Sequence, residues 1–178
     1  MPLIALYSGA TLSEICDLSP VDIQKRDGVY VFEVREDAAR NRTIKNEFRA
    51  RFVPIHSALI SAGLIEYAQK QNGSSLFPEL ENTRSRSVPF GKWFSRYVKW
   101  RLGEENKGLS FHSFRHTFRE AMRQTDVVED HVLNIGGWTR GGRSSDKYGI
   151  TPIGSLKETI EKLSYEKVHA LTSVTSLR

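Results

Sequence analysis

The chain has a single cysteine, Cys16, so no internal disulfide can form and no cysteine-based zinc site is available. No apolar run approaches the roughly 20 residues that a membrane-spanning helix needs. The opening Met1-Pro2-Leu3-Ile4-Ala5-Leu6 lacks the basic stretch and small-residue cleavage site of a secretory signal. Internal repeats and low-complexity tracts are missing too. These absences exclude disulfide scaffolds, membrane spans and solenoid arrays, and they lead to the expectation of a cytoplasmic protein without membrane contact.

What is present fits a folded domain. The chain has 178 residues, 39% of them hydrophobic, enough to close a core around one domain. Lys and Arg number 26 against 21 Asp and Glu, a net charge of +5. That balance suits a polyanionic partner but does not by itself choose between nucleic acid and no anionic partner.

Residues 2–18 read as two short helices broken at Ser8-Gly9, the second ending before Ser19-Pro20. Lys25-Arg26-Asp27-Gly28 reads as a turn, Val29 to Val34 as a strand, and Arg51-Phe52-Val53-Pro54-Ile55 as another. A small antiparallel sheet is therefore expected from about residue 29 to 55. After Ser57 the apolar period changes from two to 3.6: Leu59, Ile60, Leu64, Ile65 and Ala68 mark a helix stopping at Asn72-Gly73. Residues 79–88 read as a polar loop. Phe90, Trp93, Phe94, Tyr97 and Val98 form an apolar helical face, best explained as core packing, with a base-stacking surface as the alternative. Residues 113–124 and 127–134 read as helices, Gly136 to Ser145 as a Gly-rich loop, and a last helix is expected from about Ser155 to His169. The fold class expected is α+β, mostly α.

The chemistry lies in Leu109 to Thr117. His112 and Arg115 are three apart at a helix start, where a guanidinium beside an imidazole suits a phosphate group. Alone, this spacing is better explained as a surface or core pair. Downstream come Gly136-Gly137-Trp138 and then Tyr148-Gly149; upstream stand Ser8-Gly9-Ala10-Thr11-Leu12-Ser13-Glu14 and the segment Arg42 to His56. In this order, across about residues 3–150, the motifs resemble the catalytic domain of the tyrosine recombinase (phage integrase) family.

The resemblance implies a DNA strand-transfer enzyme that needs no cofactor and no metal, because cationic side chains do the electrostatic work. Tyr148 would be the nucleophile that forms a 3′-phosphotyrosyl link. Arg115 would clamp the phosphate, His112 would assist proton transfer, Lys45 would protonate the leaving 5′ oxygen, and Trp138 would donate its indole N–H. Glu14 would buttress the site, while His56, His116 and His131 read as structural. The family's first catalytic arginine falls on Thr11, which has no charged fork to offer. Arg35, Arg40 or Arg42 would have to substitute from the hairpin, and nothing in the sequence argues for it. Residues 1–178 would form one catalytic domain lacking the family's N-terminal core-binding domain, with residues 151–178 as a helix-bearing tail. The implied partners are double-stranded DNA and further copies of the chain on DNA, the free protein being a monomer. The tail helix, with Ile153, Leu156, Ile160 and Leu163 on one stripe, would dock on a neighbouring protomer or pack on its own domain. A non-catalytic DNA-binding or assembly module, and a topoisomerase-like relaxation activity, remain the competing readings.

Overall fold

The computed structural model describes residues 1–37, 50–80, 85–106, 108–139 and 151–165. Helices α1 (Pro2–Ser8) and α2 (Leu12–Cys16) open the chain. Pro2 sits in the first turn of α1, where its missing N–H costs no hydrogen bond. Gly9 ends α1 in the left-handed region with φ 63, as the sequence break at Ser8-Gly9 anticipates. Cys16, fully buried, has its thiol pushed up to about 12 by burial and then by Asp17, which leaves it unreactive.

Three antiparallel strands follow, β1 (Ile23–Arg26), β2 (Val29–Val34) and β3 (Arg51–Pro54), in the order β1-β2-β3. Strand β1 corrects the sequence reading: Lys25 and Arg26 pair with Tyr30 and Val29, and only Asp27-Gly28 turns. Val31, Phe32, Val34 and Val53 carry the sheet into the core.

The helix expected after Ser57 is two, α3 (Ser57–Ser61) and α4 (Leu64–Gln69), separated at Ala62-Gly63. His56 caps α3: its Nδ1 accepts the Ala58 N–H at 2.9 Å, consistent with a structural histidine. Helix α5 (Ser87–Leu102) begins inside the expected loop, and α6 (Ser113–Arg123) and α7 (Glu129–Gly136) lie close to their expected places. Helix α8 (Ile153–Glu161) starts two residues earlier and stops well short of His169. Residues 166–178 lie outside the described part.

On α5 only Phe94 and Val98 are buried, against Phe111 and Phe114 on the α6 side, whereas Trp93 and Tyr97 face outward. Core packing thus accounts for part of the aromatic face and not for the rest. Helix α8 packs on its own domain through Leu156, Ile160 and the following Leu163. Lys157 donates to the Ile55 carbonyl at 2.6 Å, Ser57 N donates to Glu161 at 2.8 Å, and Tyr165 donates to the Leu6 carbonyl at 3.1 Å. His131 Nδ1 meets Thr159 Oγ1 at 2.8 Å, joining α7 to α8. No described helix is long and apolar enough to cross a membrane.

The packing of α1 on α6 sets the site. A Cβ added at Gly9 would lie 2.6 Å from Phe118 Cδ1, a fully buried ring, at a backbone angle that L side chains rarely adopt. Gly9→Ala should therefore cost about 1–3 kcal/mol, read as a lower urea midpoint at unchanged slope. An unchanged midpoint would show that α1 and α6 separate freely.

Candidate active site

Thr11 is the N-cap of α2. Its side chain accepts the Glu14 N–H at 3.3 Å, and the Glu14 carboxylate accepts the Thr11 N–H at 2.7 Å, a complete capping box. Thr is among the residues best suited to this position.

Glu14 also receives a guanidinium. Arg51, the first residue of β3, donates from Nη1 to Glu14 Oε1 at 2.9 Å and from Nη2 to Oε2 at 3.3 Å. Its Nε donates to the Ile135 carbonyl at 2.8 Å, near the end of α7. Both side chains are only 7% exposed. Burial alone would raise the Glu14 carboxyl, but the Arg51 charge and hydrogen bonds, the Thr11 N–H and the more distant Arg115 outweigh it and hold it at about 2. Gly137 closes α7 in the left-handed region, and a Cβ there would lie 2.8 Å from Arg51 Nη1. The glycine therefore lets the backbone turn directly over the guanidinium.

After that turn Trp138 folds back onto α6. The Arg115 guanidinium carbon lies 4.1 Å from the Trp138 ring centroid and that of Arg119 5.2 Å, while Phe118 stacks at 6.2 Å. Arg115 is 5% exposed and donates from Nη1 to the Gly9 carbonyl, two residues before Thr11. Arg115, Trp138 and the start of α2 thus form one corner. His112 stands at the N-cap of α6, exposed, its ring edge-on to His116 at 4.8 Å. An open groove of about 660 Å³ runs between α2 and α5, with Leu12 and Ser13 on one wall and Lys92 and Arg96 on the other; neither Arg115 nor Trp138 lines it.

Lys45 and Tyr148 fall outside the described residues, as do Arg40 and Arg42. Arg35 is held by Asp22, Glu33 and Asp37 at 3.3–3.7 Å, so it is not poised to replace an arginine at position 11. Among the described residues no cluster of His, Cys, Asp and Glu could hold a metal ion. Sequence reasoning gave Arg51 no site role; its one signal was a cation at the start of a strand that runs into the core at Val53.

The sequence matches the Phage integrase family over residues 1–148. The chain belongs to that family. Among solved structures, the Tn1549 transposon integrase in complex with transposon right end DNA shares the fold, with TM-score 0.56 and 17% identity, over 99% of this chain. This integrase-family chain spans 57% of that one. No curated protein matches it.

The depressed Glu14 carboxyl makes a pH prediction. A carboxyl lowered from 4.5 to about 2 stabilises the fold fully above about pH 4.5, and that contribution fades as pH falls toward 2. The shift corresponds to about 3 kcal/mol. Glu14→Gln should flatten this part of the stability–pH curve and also cost stability at pH 7, where Arg51 is left unpaired. Denaturant melts at closely spaced pH values measure both, and an unaltered curve would contradict the pairing.

Proposed function

We propose that this domain acts on double-stranded DNA by site-specific strand cleavage and rejoining, at a rate reduced by Thr11. The observation that carries the reading is the corner in which Arg115 joins the Trp138 ring to the Gly9 carbonyl, two residues before Thr11. In the step, the Tyr148 oxygen bonds to phosphorus and the P–O5′ bond breaks. The phenol proton passes toward His112, and Lys45 gives a proton to the departing 5′ oxygen. Arg115 and the Trp138 N–H take the charge that builds on the non-bridging oxygens. Copies of the chain would assemble on the DNA, with the free protein a monomer.

A second reading, a non-catalytic DNA-binding or assembly module, draws support from two observations. Thr11 is used as a helix cap, and the buried Arg115 is already committed to the Gly9 carbonyl and the Trp138 ring. Both favour structure over chemistry at the two arginine positions.

The experiment is covalent trapping on nicked duplex DNA at high protein and low salt, where phosphate contacts hold best. Thr11→Arg should raise adduct formation by roughly 100- to 1000-fold over the unaltered chain. It should also lower stability by about 1 kcal/mol through the lost cap. Adding Tyr148→Phe should abolish the adduct. Equal adduct from the unaltered and Thr11→Arg chains would overturn the view that Thr11 limits the rate. Retained DNA binding with no adduct from either would favour the module.

A further inference from the structure

Helix α5 presents a second surface that the strand-transfer corner does not use. Trp93, Tyr97 and Trp100 are 48%, 41% and 77% exposed. Their spacing of four and then three residues puts them on one stripe, about 10 Å long at the helical rise per residue. Trp93 and Tyr97 stack nearly parallel, with centroids 5.4 Å apart and planes at 17°; Tyr97 and Trp100 follow at 6.0 Å. Trp93 also meets Phe90 at 5.2 Å, so the rings are ordered against one another, and Trp100 at the end of the stripe is the most exposed of the three.

The same helix carries Lys92, Arg96, Lys99 and Arg101 and has no acidic residue from Ser87 to Leu102. Lys99 pairs with Glu104 beyond the helix end, at 2.6 Å, but both side chains are more than 60% exposed, so that pair is weak. A second copy of the same face would bring like charges together, which disfavours self-association. The charge calls for an anionic occupant, and three exposed aromatic rings in a row call for flat apolar groups along it. A duplex hides its base faces in the stack; an unpaired strand offers them beside its phosphates.

We propose that the α5 stripe is a binding site for single-stranded nucleic acid, with bases stacked on the exposed rings of Trp93, Tyr97 and Trp100 and the phosphates on Lys99 and Arg101, the cations of α5 that do not line the groove. It lies on the helix face away from the groove beside α2, whose lining includes none of the three aromatic residues. Its occupancy does not depend on the phosphotyrosyl chemistry.

The chain has three tryptophans, Trp93, Trp100 and Trp138, so a Trp138→Phe background leaves fluorescence from the stripe alone. The probes are a 12-nucleotide oligo-dT, a 12-base-pair duplex and a poly-glutamate peptide, at low salt. Oligo-dT should quench the tryptophan emission. In the otherwise unaltered chain, Trp93→Ala and Trp100→Ala should each weaken oligo-dT binding by about tenfold, with duplex affinity changed by less than twofold. Trp100→Phe should retain most of the affinity, separating loss of stacking from loss of folding. Absent quenching, unchanged oligo-dT affinity in both alanine variants, or poly-glutamate binding as tight as oligo-dT would overturn the proposal; the last would make the stripe a site for acidic protein.

Discussion

The buried pair between Glu14 and Arg51 ties together three pieces of chain that are far apart in sequence. Glu14 belongs to α2 and closes the capping box with Thr11; Arg51 opens β3 and reaches the last turn of α7. Neither charge is tolerable alone at this depth. An unpaired buried ion costs several kcal/mol, so each fixes the other's position. The pair thus orients α2 against the end of α7. The turn over Gly137 then delivers Trp138 onto α6 and Arg115.

This arrangement explains how position 11 holds threonine in a stable fold. The site's scaffold does not draw on that side chain for charge; it draws on it for a cap. Thr meets that need, and Arg does not. Under the proposed strand-transfer function, stability and phosphate chemistry make opposing demands at this residue. Arg115 shows the same tension: its guanidinium is spent on the Gly9 carbonyl and the Trp138 ring, contacts that hold α6 to α1. To take a phosphate, it must exchange or share them.

Much of the fold was legible because local rules governed it. The break at Ser8-Gly9, strands β2 and β3, and helices α6 and α7 each follow from a period, a turn residue or a cap. Strand β1 was hidden because Lys25 and Arg26 sit exposed on an edge, where polar residues and a turn give the same signal. The aromatic helix was half legible. Phe94 follows Trp93 by one residue, or about 100° around the helix, so one period serves both a buried stripe and an exposed one. Only packing on Phe111 and Phe114 decides which is which. Among the candidate site residues, His112, Arg115 and Trp138 stood out through motif order. Arg51 did not, since the reach of a long side chain to a carboxylate 37 residues away depends on tertiary structure alone.

A double-mutant cycle on Glu14 and Arg51 tests this account most directly, with Glu14→Gln, Arg51→Met and the pair compared by urea unfolding at pH 7. Each single change strands a buried partner and should cost about 3–5 kcal/mol. The double change leaves neither charge unpaired, and loses only the Arg51 bond to the Ile135 carbonyl, so its cost should fall short of the sum by at least about 2 kcal/mol. Additive costs would contradict the claim that this one pair holds the site together.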